Sequence, residues 1–190
     1  MSTPTQKKWL KKNPQAISSR VYSCNLVGIL FKTRRQGFAD IHQIGAETVA
    51  TAARAAGVKR LVHVSAIGAE EDSPSQYGRS KAAGVEAVKA AFPGASIVRP
   101  SVIFGTDDNF FNLFAGLARL TWVLPVFGCP VWPKIKLFPE GGLVDIDLYG
   151  DGGTRMQPAY AGDVAEAIAK ILSDPATAGQ TYDLGGPTVY

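Results

Sequence analysis

The first half of the chain alternates between short apolar runs and amphipathic stretches. The run at 24–31, CNLVGILF, is continuously apolar, which predicts a strand buried on both faces of a parallel sheet. From residue 38 to 56 apolar side chains recur at helical spacing, and Gly57 ends the pattern, as expected for a helix with a C-terminal glycine. The segment 59–65, KRLVHVS, then predicts a second strand.

The same alternation continues to residue 100. An alanine-rich stretch at 73–92 predicts a helix that ends before Pro93 and Gly94, and 95–99 predicts a strand that ends at Pro100. Strands separated by helices pair in parallel through right-handed crossovers. We therefore expect an α/β fold, a partial Rossmann-like parallel sheet with flanking helices, over residues 25–190.

The second half is less regular. The pattern predicts a helix at 109–120, a long loop at 121–153, a short strand at 157–160, a helix at 162–172 and a last strand at 180–184. The loop contains four prolines and ends in the sequence GDGG. Loops of that length in a compact domain are usually functional, and we expect this one to serve as an attachment surface.

The charge is unevenly distributed. Eight of the 20 Lys and Arg residues lie in the first 39 positions, whereas all 16 acidic residues follow them. The body is therefore mildly acidic, which argues against nucleic-acid binding. The basic tail at 1–24 resembles a mitochondrial targeting segment, with an apparent processing site at 20–23, and a solvated basic tail is an equally open interpretation. No apolar run approaches the length of a transmembrane helix.

The few cysteines and histidines predict no metal site. Cys24 and Cys129 are far apart, match neither a disulfide framework nor a CxxC motif, and favour a reducing compartment. His42 and His63 are the only histidines, and without clustered partners each is expected to be an ordinary core or surface residue.

Three residues suggest an acid-base site. Tyr77 and Lys81 are four positions apart and so share a helix face, and Ser65 follows a predicted strand. In an open parallel sheet, ligands bind outside the carboxyl ends of strands. Lys81 could lower the pKa of the Tyr77 phenol for proton transfer, and Ser65 could orient a carbonyl oxygen. A Tyr and Lys at this spacing can also be an ordinary surface pair, but the serine before them and the RPSVIFG segment at 99–105 favour one site.

These segments, together with NLVGILF at 25–31, YGRSKAAGVE at 77–86 and QPAYAGDVAEAI at 157–168, resemble the extended and atypical short-chain dehydrogenases. Within that family the likeness is to the NADPH-binding accessory subunits of mitochondrial complex I. The resemblance implies tightly held NADPH without established turnover. It also implies cofactor contacts on the adenosine-ribose side (Asn25, Leu26, Val27, Gly28), the nicotinamide side (Ser65, Tyr77, Lys81) and the carboxamide (Pro100, Ser101, Val102, Ile103).

The chain departs from the family pattern in its first part. The resemblance implies a glycine-rich turn and further strand-helix units before residue 25, and no such turn occurs in this sequence. Backbone N–H groups at that turn are the main anchors of a dinucleotide pyrophosphate, so we expect weak cofactor binding by this chain alone. We also expect another surface to cover the apolar edge strand at 25–31. Residues 129–149 look like an insertion.

Three functions follow as hypotheses. The first is a non-catalytic structural subunit of complex I, peripheral to the matrix side of the inner mitochondrial membrane, with other complex I subunits as partners. The second is an NADP-dependent reductase or epimerase completed by a chain that supplies the missing half. The third is a nonfunctional fragment in which Ser65, Tyr77 and Lys81 are relics.

Overall fold

A parallel four-stranded sheet forms the centre of the protein. The computed structural model describes residues 22–33, 36–106 and 156–189, the single positions 108, 112, 116 and 119, and the backbone of 134–137 and 144–147. In spatial order the sheet contains β1 (Tyr22–Asn25), β2 (Arg60–Val64), β3 (Ser96–Pro100) and β8 (Thr181–Leu184), and each neighbouring pair is parallel. The predicted α/β, Rossmann-like class is confirmed.

Helices connect these strands close to where the sequence predicts them. A π-helical segment (Ala39–Gly45) continues directly into α1 (Ala46–Ala55), α2 (Gln76–Ala91) joins β2 to β3, and α3 (Ala161–Ser173) precedes β8. The end of α1 is a Schellman motif, in which Gly57 has a φ of 69° and the Val58 N–H donates to the Ala53 carbonyl at 3.0 Å. At the start of α2, the Ser75 hydroxyl caps the Gly78 N–H at 2.9 Å.

Two apolar clusters cover the two faces of the sheet. On one face Leu61 and Ile97 pack with α1 and α2, and on the other Val62 and Val98 pack with Ile171 of α3. Successive strand residues point to opposite faces. His63 and the adjoining Ser65 therefore share the face of Leu61, beneath α2.

The remaining described strands form two small sheets. Strand β4 (Ile103–Phe104) pairs in parallel with β7 (Ala159–Tyr160), so the strand predicted at 157–160 is confirmed in its last two residues. Strands β5 (Lys134–Leu137) and β6 (Val144–Asp147) pair antiparallel. The loop predicted at 121–153 is therefore wrong at these eight positions, where the two segments pair as antiparallel strands through their facing backbone groups. The rest of that loop, and nearly all of the helix predicted at 109–120, lie outside the described residues.

The strand predicted at 24–31 is also wrong in extent. It ends at Asn25, whose side-chain Oδ1 accepts a hydrogen bond from the Val27 N–H at 3.1 Å and so turns the chain out of the sheet. The following apolar side chains are exposed, with Leu30 at 67% and Phe31 at 81%. Among the described strands β1 has β2 as its only neighbour, and the covering of its other edge stays a prediction.

No helix in the described parts of the chain is long and apolar enough to cross a membrane. Those parts also contain no group of three His, Cys, Asp or Glu side chains arranged to hold a metal ion.

Candidate functional site

The structure brings Ser65 and Lys81 together at the carboxyl end of β2. Lys81 reaches down from α2, and its Nζ donates a hydrogen bond to the Val64 carbonyl at 3.0 Å. Both residues are buried. The Ser65 Oγ has no hydrogen-bond partner among the described residues, which leaves a buried hydroxyl available to a ligand oxygen or a water molecule.

Tyr77 lies one helical turn before Lys81 on α2, half-buried beside two aromatic side chains. Its ring makes edge contacts with His42, at a centroid distance of 5.3 Å, and with Phe38 at 6.0 Å. Burial raises the pKa of the Tyr77 phenol above its usual value. The effect of burial thus opposes the lowering of this pKa that Lys81 could provide, and the role of the Tyr77 and Lys81 pair in proton transfer stays a prediction.

Burial also governs the pKa of Lys81. Desolvation lowers the pKa of its ammonium from 10.5 to about 8, so the group is still mainly charged at neutral pH. A buried cation at this position attracts oxygen ligands. It can therefore donate to a ribose hydroxyl as well as to the protein.

The segment that follows β1 lies against Lys81. A Cβ placed on Gly28 would lie 3.5 Å from the Lys81 Nζ and 3.7 Å from the His42 Nε2, in ordinary contact with both, so Gly28 lies beside these two side chains. Asn25 is buried and contacts His63, whereas Leu26 and Val27 are exposed. Of the predicted ribose-side residues, Gly28 therefore lies beside the predicted nicotinamide-side lysine, whereas Asn25 contacts His63.

The predicted carboxamide contacts use their backbone groups within the protein. The Pro100 carbonyl accepts from the Ile67 N–H at 3.0 Å, the Ser101 N–H donates to Leu184 at 2.9 Å, and the Val102 carbonyl accepts from Ala159 at 2.9 Å. Ile103 belongs to β4. These bonds hold the segment at the carboxyl edge of the sheet, and its contact with a cofactor stays a prediction.

From the sequence, His42 and His63 are expected to be ordinary core or surface residues, and the structure places both in the core. Their hydrogen bonds were not predicted. Both are almost fully buried, at 2% exposure. His63 contacts Asn25, the last residue of β1, at 3.2 Å, and His42 accepts from the Ile29 N–H, in the segment that follows β1, at 3.0 Å. Burial first, and then the charge of Lys81, lower the pKa of each imidazole from 6.5 to about 4. The signal in the sequence was spacing, because His63 precedes Ser65 by two strand positions and His42 follows Phe38 by one helical turn.

Comparison with known protein families shows which family the chain resembles. The family model described as the NAD dependent epimerase/dehydratase family matches residues 30–185. The chain belongs to this family. Its membership confirms the resemblance to dehydrogenases that the motifs predict, and NAD(P) binding is a property of the epimerase/dehydratase family as a whole.

Individual relatives are similar over different parts of the chain. The mitochondrial "NADH dehydrogenase [ubiquinone] 1 alpha subcomplex subunit 9" of Arabidopsis thaliana is 36% identical over 168 residues, which is 87% of this chain and 36% of that protein. A protein of the same name in Mus musculus is also 36% identical, over 166 residues. The ceramide reductase of Caulobacter vibrioides is 43% identical over 102 residues, which is 54% of this chain and 32% of that protein. The chain thus spans between 32% and 38% of the length of these relatives.

A solved structure shows the fold. The dTDP-4-dehydrorhamnose reductase of Bacillus anthracis in complex with NADP superimposes with a TM-score of 0.68 at 20% identity, covering 95% of this chain and 62% of the reductase. At that identity the match supports the epimerase/dehydratase fold and carries no statement about activity.

Proposed function

We propose that this chain is a non-catalytic accessory subunit of mitochondrial respiratory complex I, derived from a short-chain dehydrogenase. The observation that carries the proposal is the 36% identity over 87% of the chain to the Arabidopsis subunit. The partners are then other complex I subunits, and the location is the matrix side of the inner membrane, without nucleic-acid binding. The basic tail at 1–24 and the 121–153 segment are the proposed targeting and attachment regions.

The geometry of the site favours binding of a nucleotide without a catalytic reaction. Ser65 and Lys81 are buried, and Gly28 packs against the lysine. A phenol with a raised pKa gives up its proton less readily than an ordinary tyrosine, which disfavours Tyr77 as an acid-base group. Burial of Ser65 and Lys81 also keeps these side chains in one fixed position, as a structural role requires.

NADPH is the proposed ligand, and the residues present fit its nicotinamide-ribose part. The orphaned Ser65 hydroxyl and the Lys81 ammonium are the donors that a carboxamide or ribose oxygen needs, and Gly28 lies beside the lysine. Tyr77 and Lys81 would hold this end of the nucleotide, and Asn25 and Gly28 would line the adenosine-ribose side that the family resemblance implies. The nicotinamide would supply hydride chemistry if a substrate could reach it. Within 22–33, 36–106 and 156–189 no glycine-rich turn opens a helix for the diphosphate.

Native electrophoresis of mitochondria tests the proposal. An epitope-tagged full chain, expressed in the cells it comes from, should migrate with the complex I band and stay with it in mild detergent. A matched Tyr77→Phe variant should assemble equally well, because the phenol hydroxyl has no role in a structural subunit. Migration of the tagged chain only as a small species would contradict the proposal.

The second candidate is an NADP-dependent reductase or epimerase completed by a partner chain. It is favoured by the ceramide reductase relative and by the juxtaposition of Ser65 and Lys81. This candidate predicts NADPH oxidation by the native complex, lost in Tyr77→Phe. Unchanged oxidation in that variant would exclude it, and the electrophoresis result would still stand.

A further inference from the structure

Two buried imidazoles hold the segment Asn25–Ile29 from opposite ends. The His63 Nδ1 is 3.2 Å from the Asn25 side-chain nitrogen, and the His42 Nε2 is 3.0 Å from the Ile29 backbone nitrogen. Between these two contacts lies Gly28, where an added Cβ would be 3.5 Å from the Lys81 Nζ. The Asn25 backbone is already paired with β2, and only residues 26–29 beyond it are irregular. The Asn25 amide contacts His63 and accepts from the Val27 N–H, and Ile29 donates to His42, so these side-chain contacts fix where residues 26–29 lie.

The hydrogen-bond partners fix the proton on His42. The Ile29 N–H can only donate, so the His42 Nε2 must accept. The proton then sits on Nδ1, which is 2.8 Å from the Ser80 Oγ. Ser80 is free to accept it, because its own hydroxyl donates to the Tyr77 carbonyl at 2.7 Å. His42 is therefore the neutral Nδ1–H tautomer.

His63 takes the opposite tautomer. The Asn25 Oδ1 accepts from the Val27 N–H, which orients the Asn25 amide so that its NH₂ group faces His63. The His63 Nδ1 must accept, so its proton lies on Nε2, which has no partner among the described residues. Both imidazoles are thus neutral acceptors at the point where they meet the segment.

We propose that His42 and His63 are positioning residues that fix Asn25–Ile29 against Lys81 and so build the ribose-side wall of the nucleotide site. Neither histidine need touch the nucleotide. Each works by offering one particular ring nitrogen to a donor of the segment. The positioning of Asn25–Ile29 by the two histidines concerns the chain's own structure. Only the effect of this positioning on nucleotide affinity rests on the proposed function.

The position of the accepting nitrogen allows a crossed test. A glutamine carbonyl can occupy the place of a histidine Nε2, and an asparagine carbonyl that of Nδ1. His42→Gln should therefore preserve the acceptor for Ile29, and His42→Asn should lose it. The reverse holds at the other site, where His63→Asn should preserve the acceptor for Asn25 and His63→Gln should lose it.

Amide hydrogen exchange in the full chain measures the outcome. Loss of one such hydrogen bond is expected to speed exchange of the Ile29 amide in His42→Asn, and of the Val27 amide in His63→Gln, by about tenfold. His42→Gln and His63→Asn should stay within about threefold of the parent chain. The Ile97 amide, bonded in the core to Gln180 at 2.8 Å, reports whether each variant is folded.

Two further readouts are available, and the first, made on the parent chain alone, does not depend on how the variants fold. Nitrogen NMR of the parent chain at neutral pH should show His42 as the Nδ1–H tautomer and His63 as the Nε2–H tautomer. NADPH affinity, measured by fluorescence on the native complex, should follow the exchange pattern. Equal exchange in the Gln and Asn variants, or a single tautomer at both sites, would overturn the inference. Correct exchange and tautomers without NADPH binding would instead refute the proposed nucleotide ligand.

Discussion

Acidification is expected to destabilise this protein through His42 and His63. In the unfolded chain both imidazoles have a pKa near 6.5, and in the fold their pKa is about 4. As pH falls through 6.5 the unfolded state takes up protons that the folded state refuses, so stability declines. The stability that the two histidines contribute is fully present above pH 6.5 and is lost progressively down to about pH 4.

The size of the effect follows from these pKa values. At pH 5 the unfolded imidazole is almost fully protonated, whereas the folded one is mostly neutral, and the difference costs about 2 kcal/mol per histidine. The two together lower the free energy of unfolding by up to about 4 kcal/mol between pH 7 and pH 5. That is a large part of the usual stability of a domain.

Urea unfolding followed by circular dichroism, at half-unit steps from pH 7 to pH 5, measures this dependence. The matched control is the double variant His42→Gln, His63→Asn, which keeps both acceptors and removes both titrating groups. Its free energy of unfolding should be nearly constant over the interval. A flat profile for the parent chain, or an equally steep one for the control, would refute the reasoning.

Further substitutions test the packing around the site. A Cβ on Gly84 would overlap the His42 carbonyl oxygen, so Gly84→Ala should cost about 2 kcal/mol in urea unfolding, whereas Gly94→Ala, with only a side-chain atom at 3.7 Å, should be nearly neutral. Arg60→Ala should cost about 3 kcal/mol, because its buried guanidinium donates to the Ile171 carbonyl at 2.7 Å; a loss below 1 kcal/mol would contradict this. Arg99→Ala removes an exposed ion pair and should change the melting temperature little.

Much of the fold could be predicted from local sequence signals. The helix end at Gly57 and the parallel strands at 60–64 and 96–100 follow from turn residues and short apolar runs, which act within a few positions. The run at 24–31 was misleading because hydrophobicity does not tell a buried strand from an exposed segment. The hydrogen bond within the Asn25–Val27 turn, which ends the strand, competes with sheet pairing and leaves no mark in the apolar pattern.

The candidate site, like the fold, could be predicted only in part from the sequence. The serine and lysine were predictable, because strand and helix geometry fix where Ser65 and Lys81 point. The histidines were not, since His42 acts on a backbone 13 residues away and His63 on a side chain 38 residues away. The raised pKa of Tyr77 also escaped prediction, because it depends on burial beneath Phe38 and His42 more than on the lysine one turn along.

The central claim is that this chain is an integral part of complex I. Quantitative mass spectrometry of complex I, purified through one of its core subunits, tests it most directly. The account predicts that peptides of this chain, including those around Tyr77 and Lys81, appear in a near-equimolar ratio to core subunits. Absence of those peptides from the purified complex, while the chain is abundant elsewhere in the same cells, would contradict it.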